Sequence, residues 1–159
     1  MRILLPMLMT LLLVGCSDTD SQSNTTQASQ PEQTFEWKLV TTWPKNYPGL
    51  GLGPENFATK VAAMSAGRLK IKVYGAGQLV PAFEVFDAVS QGTAEMGHGA
   101  SYYWTGKAKA AAFFTSVPFG LNAPAMNGRL HYGGGLELWR ELYDEFNLVP
   151  FAGGNTGVQ

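Results

Sequence analysis

The sequence predicts an α/β domain built on a parallel sheet, and three observations carry that prediction. Between residues 35 and 100, segments of strand character alternate with segments whose apolar residues recur at three- and four-residue spacing, in the order strand, helix, strand, helix, strand. Residues 69–74 (LKIKVY) alternate cleanly, with Leu69, Ile71 and Val73 on one face and lysines between. Glycines stand where each helix should stop, at Gly67 and Gly92. Strands separated in this way pair in parallel through right-handed crossovers. The chain has 159 residues, 45% of them apolar and 14% charged. The charged fraction is well below the roughly 25% of an average soluble domain, and the apolar content suffices for one core. A formal charge of -1 without a basic run excludes a nucleic-acid footprint. One cysteine excludes an internal disulfide, and two histidines without thiol partners exclude a zinc finger.

Residues 1–15 have the pattern of a signal peptide. Met1 and Arg2 make a short positive start, and residues 3–14 carry no charge. At about 1.5 Å per residue this run is too short for a bilayer core of roughly 30 Å, so it suits a secretory h-region. It ends Leu13-Val14-Gly15-Cys16, which resembles the lipobox of bacterial lipoprotein signal peptides. In that pattern the cysteine receives diacylglycerol and becomes the new N-terminus; the alternative is an idle cysteine behind an ordinary signal peptide. Residues 16–34 are expected to be a lipidated, flexible tether. They are rich in Ser, Thr, Gln, Asn and Asp, with Ala28 the one aliphatic or aromatic side chain between residues 17 and 33. Nothing there offsets the entropy of ordering the backbone.

The globular body begins with a strand over residues 35–42 (FEWKLVTT), ended at Trp43-Pro44 because proline cannot continue the ladder. A glycine- and proline-rich loop leads to Pro54, in the first turn of a helix reaching about Ser65. Phe57, Val61 and Met64 are expected on its buried face. After the alternating strand, Gly75-Ala76-Gly77 turns the chain into a helix over residues 81–91, striped by Phe83, Val85, Phe86 and Val89. Residues 95–100 (EMGHGA) form a short strand of small side chains. Helices are expected over residues 123–132 and 136–146, and a last strand over residues 148–152.

Most candidate chemistry has a plain structural explanation. The glycines at 75 and 77 follow a strand and precede a helix, as in a dinucleotide fingerprint. The third glycine position is Val80, however, Pro81 follows it, and no acidic residue closes a strand about twenty residues later. A tight turn is the better assignment. Glu95 and His98 point to opposite faces of a strand and make no metal pair. A Ser101–His98 dyad lacks a visible orienting group and oxyanion hole, so His98 is assigned a structural or hydrogen-bonded role. His131 is assigned to packing, and Glu137, Glu141 and Glu145 to a solvated face. No catalysis is expected.

The aromatic residues are more informative. Trp43 follows the first strand, and Tyr102-Tyr103-Trp104 follow the third. In open parallel sheets ligands bind outside the carboxyl ends of the strands. Rings with polar tips at that edge suit a small ligand needing an apolar wall and one or two hydrogen bonds; the alternative is that they pad an edge or an interdomain contact. Asn155 and Gln159 add amide oxygens, suited to a hard cation or a polar ligand, or to capping their own loop.

Four phrases resemble one family: Thr41-Thr42-Trp43-Pro44, VYGAGQLVPAFEVFDAVSQGTAEMGHGASYYWTGK over residues 73–107, VPFGLNAPAMNGRLHYGGGLELWRELY over residues 117–143, and Asn155-Thr156-Gly157-Val158-Gln159. They are similar to the solute-binding subunits of tripartite ATP-independent periplasmic (TRAP) transporters, in the 2-oxoacid-binding subgroup of the dicarboxylate-binding-protein family. The resemblance covers residues 35–159. It implies a periplasmic-binding-protein-like domain, the N-terminal half of a two-domain clamshell, with the second domain absent from this chain. Such a clamshell closes on a small carboxylate such as pyruvate and delivers it to the small and large TRAP membrane subunits for sodium-coupled uptake. The resemblance implies no cofactor, and a sodium ion beside the substrate carboxylate. By motif, Gln159 would be a sodium or carboxylate contact, Asn155 a substrate contact, and Trp43, Tyr102 and Tyr103 lining from the first domain. The body would sit in the periplasm, anchored to a membrane through Cys16, and a homodimer is open for the full-length form.

Members of the family are much longer, and their carboxylate-clamping arginine falls beyond residue 159. Arg68, Arg129 and Arg140 occupy no matching motif. Half a cleft gives a small carboxylate little to offset its association cost, so these 159 residues alone are expected to bind weakly or not at all. The rival readings are the same fold with another organic acid such as lactate or a dicarboxylate, a truncated lipoprotein that docks without solute, and an enzyme acting through His98.

Overall fold

A computed structural model of the chain describes residues 33–156. The predicted signal peptide, residues 16–32 of the predicted tether with Cys16, and Gln159 lie outside the described residues. The elements run β1 (Phe35–Thr41), α1 (Leu52–Met64), β2 (Leu69–Tyr74), α2 (Val85–Ser90), β3 (Met96–His98), α3 (Ala123–Tyr132) and α4 (Gly135–Asp144). Short 3-10 turns occupy Ala82–Glu84, Ser101–Trp104 and Lys109–Phe114. The three strands form one parallel sheet in the order β2-β1-β3, with Leu39 opposite both Val73 and Met96. The α/β parallel-sheet expectation therefore holds.

β1 is the central strand, and consecutive residues Leu39, Val40 and Thr41 are buried. Successive side chains point to opposite faces, so the carboxyl half of β1 is covered on both sides, as a parallel strand between helices must be. The path from β1 to β2 moves one way along the sheet, and the path from β2 to β3 moves back across β1. Right-handed connections in opposite directions place α1 and α2 on opposite faces. On the α2 face, a Cβ at Gly97 would stand 2.9 Å from Val85 Cγ1 and 3.0 Å from Val89 Cγ2, so β3 and α2 are packed to contact there. The main core lies on this face, where Val40, Phe86, Trp104, Phe114, Trp139 and Tyr143 meet. Phe114 stacks on Trp139 with centroids 5.6 Å apart, and Phe86 meets Tyr143 edge-on at 5.5 Å. Such pairs contribute about 0.5–1.5 kcal/mol each beyond their buried area.

The helix ends follow the sequence signals. The Gly67 N–H donates to the Ala62 carbonyl at 2.7 Å to close α1. The Asn122 side chain accepts from the Ala125 N–H at 3.0 Å to open α3, with Pro124 in its first turn. Other expectations change. α1 buries Pro54 and Ala58, whereas Phe57 and Met64 are 45% and 88% exposed; the helix approaches the sheet through small side chains, which rotates the predicted stripe outward. The helix expected over residues 81–91 divides at Glu84 into a 3-10 turn and the shorter α2, leaving Phe83 exposed. Residues 148–152 form no strand; the buried Pro150 has no N–H to offer a ladder. His131 is exposed, because α3 turns Met126 and Leu130 to the core instead. Residues 101–114, unassigned from the sequence, fold as two 3-10 turns. The Ser101 hydroxyl, fully buried, donates to the Ala111 carbonyl at 2.7 Å and joins them.

Candidate functional site

β1 and β3 are neighbours, and the chain leaves their carboxyl ends toward opposite faces, to α1 from β1 and into the α2-side core from β3. A crevice opens where adjacent strands diverge in this way, and it is the usual ligand position in an open parallel sheet. Trp43 stands just beyond β1. Its carbonyl is held twice, accepting from the Thr41 hydroxyl at 2.7 Å and from the Ala76 N–H at 2.9 Å. Its ring meets the imidazole of His98, the last residue of β3, at a centroid distance of 4.9 Å, and the Tyr103 ring at 6.4 Å. Tyr103 in turn meets Tyr102 at 4.7 Å and Phe83 edge-on at 5.5 Å. Trp104 belongs to the core beneath, 5.6 Å from Phe86.

The structure thus brings Trp43, Tyr102 and Tyr103 to one edge, as the sequence predicted. Asn155 is exposed, two residues beyond Gly153, whose backbone lies against His98: a Cβ there would stand 3.3 Å from Nε2. His98 and Phe83 are the members of this edge that sequence reasoning missed. The signal for His98 was available in its place at the carboxyl end of the third strand; Phe83 is displayed only because the 3-10 turn rotates it out of the predicted stripe.

The wall is uncharged. Burial, with help from the neighbouring Tyr102 phenol, holds the Tyr103 hydroxyl above its ordinary pKa, so it keeps its proton. Burial lowers the pKa of His98, so the imidazole stays neutral near pH 7. Two polar atoms at this edge, Thr42 Oγ1 and His98 Nδ1, are buried without a protein partner. The edge offers aromatic faces and phenolic donors, a surface suited to a small molecule with an acyl part and an acceptor group.

Other candidates fall away from the edge. All four amides of residues 75–78 are occupied: Gly75 donates to Gln78 Oε1, Ala76 to Trp43 O, Gly77 to Val80 O and Gln78 to Gly75 O. No N–H there is left to cradle a phosphate, and the turn assignment stands. The Arg129 guanidinium donates to the Phe113 carbonyl and lies 5.7 Å from the Phe114 centroid; that of Arg140 lies 5.8 Å from Phe151. The Arg68 carbonyl accepts from the Phe35 N–H, at the amino end of the sheet. A groove of about 310 Å³ runs along α2, and one of about 400 Å³ lies between residues 110–114, α3 and α4; neither is lined by Trp43, Tyr102 or Tyr103. Among the described residues no three His, Cys, Asp or Glu side chains are grouped to hold a metal, and no helix is long and apolar enough to cross a membrane.

Comparison with known proteins identifies the family and the fold. Residues 39–159 match the family described as bacterial extracellular solute-binding protein, family 7. A monocarboxylate 2-oxoacid-binding periplasmic protein of Nostoc sp. (strain PCC 7120) is 46% identical over 150 residues, which are 94% of this chain and 40% of that protein. A solved TRAP periplasmic solute-binding protein from Pseudoalteromonas atlantica T6c, with bound sodium and pyruvate, is 43% identical with a TM-score of 0.75, over 77% of this chain and 37% of its own. Another, from Colwellia psychrerythraea with bound calcium and pyruvate, is 42% identical with a TM-score of 0.75, over the same 77% and 37%. The chain spans less than half the length of these relatives. A family match over most of the chain and a shared parallel-sheet fold lead to one conclusion: this chain belongs to the TRAP-type bacterial extracellular solute-binding proteins, family 7.

Proposed function

We propose that this chain forms the first-domain wall of a TRAP solute-binding cleft whose ligand is a small 2-oxoacid such as pyruvate. The observation that carries the reading is the uncharged aromatic edge of Trp43, Tyr102 and Tyr103 at the carboxyl ends of β1 and β3. Relatives above 40% identity hold pyruvate together with sodium or calcium. In this reading the Trp43 face receives the acyl part, and the tyrosine hydroxyls and the Asn155 amide receive the oxygens. Gln159 contributes an amide oxygen to a co-bound sodium ion. Neutral oxygens are the donor class a hard cation takes, and the described residues offer the edge no carboxylate cluster that would suit a resident metal instead. The role is capture and delivery to TRAP membrane subunits, with no catalysis. Residues 1–15 would be the signal peptide, residues 16–34 a tether lipidated at Cys16, and residues 35–159 the first domain of a clamshell in the periplasm. A homodimer of the full-length form belongs to the same reading.

Isothermal titration of the full-length protein with pyruvate, lactate and succinate, with and without sodium, tests this. Pyruvate should bind best, and sodium should tighten it; preference for succinate or lactate overturns the 2-oxoacid assignment. Cys16→Ser should move the protein from the membrane fraction to the soluble periplasmic fraction. Equal partition of the two forms removes the anchor.

A further inference from the structure

We propose that His98 is the positioning residue of this edge, its imidazole seating both the Trp43 ring and the backbone that leads to Asn155. The inference deepens the solute reading and rests on it for its effect on affinity. Two contacts converge on this side chain, and a third fixes its backbone. The Trp43 ring packs on the imidazole at 4.9 Å with 56° between planes. The Gly153 backbone lies so close that a Cβ would stand 3.3 Å from Nε2, tighter than most such contacts, and 3.4 Å from Cδ2, at van der Waals contact. The Thr42 N–H donates to the His98 carbonyl at 3.0 Å, extending the β1–β3 ladder to the residue before Trp43. The Trp43 backbone is already fixed by its two carbonyl hydrogen bonds. What remains to be set is where its ring lies, and the imidazole is the surface that sets it.

The imidazole holds this place by packing, since Nδ1 is buried without a protein partner. A second proton would bring a charge that nothing nearby compensates. The titratable groups on the surrounding elements are the Tyr102 and Tyr103 phenols, the latter held above its ordinary pKa by burial, and Glu95, whose carboxylate is turned to the Lys38 N–H at 2.7 Å. Residues 153–156 and Trp43 carry none. Burial accordingly lowers the His98 pKa. Charging the ring should therefore expel it, loosening the Trp43 ring and the 153–155 backbone together. Apparent affinity for a carboxylate should then fall about tenfold for each pH unit below the imidazole midpoint, because only the neutral fraction binds.

The test uses the full-length protein in two arms. Without ligand, nitrogen-15 spectra are followed from about pH 8 to about pH 4. His131→Gln separates the two histidines of this sequence. The Trp43 indole and Gly153 amide signals should move with the His98 midpoint, and His98→Phe, which keeps a ring but no proton, should hold them still. If they titrate independently of His98, the proposal is overturned. With ligand, pyruvate affinity is measured over the same range. His98→Phe should lose the acid fall and bind pyruvate more tightly than His98→Ala at neutral pH. A wild-type pH profile in His98→Phe overturns the proposal. If the parent binds no pyruvate at any pH, the solute reading fails, and the ligand-free signals still decide on His98.

Discussion

Replacing Gly75 by alanine should unseat the loop that carries Trp43, at a cost of about 2–4 kcal/mol. A Cβ at this position would stand 2.7 Å from the Lys45 backbone nitrogen and 3.2 Å from the Lys45 Cβ. The obstacle is main chain, which cannot rotate aside as the end of a long side chain does. Forcing a methyl group into such a contact costs about 1–3 kcal/mol. If the two loops part to admit it, they lengthen the bond that joins them, from Ala76 N–H to Trp43 O (2.9 Å). That bond is a net contribution of about 0.5–1.5 kcal/mol. Steric and hydrogen-bond costs partly replace one another, which sets the total at the stated range. Gly106→Ala is the control, since a Cβ there meets open space, and it should stay within about 0.5 kcal/mol of the parent. Urea unfolding followed by tryptophan fluorescence measures both, and an unchanged m-value licenses reading a midpoint shift as a stability change. With m of about 2 kcal/mol/M, the middle of the usual range, Gly75→Ala should lower the midpoint by roughly 1–2 M. The reasoning from backbone contact is refuted if Gly75→Ala unfolds with the parent, or if Gly106→Ala costs as much.

Ser101→Ala should cost about 1–3 kcal/mol in thermal or urea unfolding, because it removes the donor that meets the Ala111 carbonyl at 2.7 Å and leaves the Thr115 hydroxyl with its longer bond to the Ala112 carbonyl at 3.3 Å; a loss below about 0.5 kcal/mol would show that the Ala111 carbonyl finds another partner. Burial pushes the Tyr143 phenol up to about 12. A folded pKa above the unfolded value of about 10 means that its contribution is intact below pH 10 and is lost as pH rises through about 12. In an ultraviolet titration one of the six tyrosines should ionise last, and Tyr143→Phe should abolish that step; persistence of the late step refutes the assignment. In the full-length protein Trp43→Leu should weaken pyruvate binding by about tenfold, the loss of roughly 1.4 kcal/mol of aromatic contact. Trp37→Leu, in the amino half of β1 away from the edge, should leave affinity unchanged; equal effects of the two would detach Trp43 from the site.

The parts of the fold legible in the residues are those governed by short-range physics. The alternation of LKIKVY, the stop at Trp43-Pro44, the glycine after α1 and the Asn122-Ala123-Pro124 start of α3 each act within one turn or one strand, and the observed elements follow them closely. Because strand ends are set by such stops, the sequence could also place Trp43, Tyr102 and Tyr103 at the carboxyl ends of β1 and β3. Its phrases likewise carry the family. The order β2-β1-β3 is different in kind. Alternation of strands and helices does not say which strands become neighbours, and it is this order that puts Trp43 beside His98. The buried face of α1 was decided by how closely the helix approaches the sheet, which admits Pro54 and Ala58 and leaves Phe57 and Met64 outside. The turns over residues 101–114 depend on a serine hydroxyl reaching a carbonyl ten residues along the chain, and Pro150 outweighs the strand pattern around it. The sequence by itself determined the elements, their ends and the chemistry collected at one end of the sheet, because those rest on local periodicity and local stops. Only the tertiary structure decided which rings touch, which nitrogen is buried and which glycine lies against it, because those depend on contacts between segments distant in the chain.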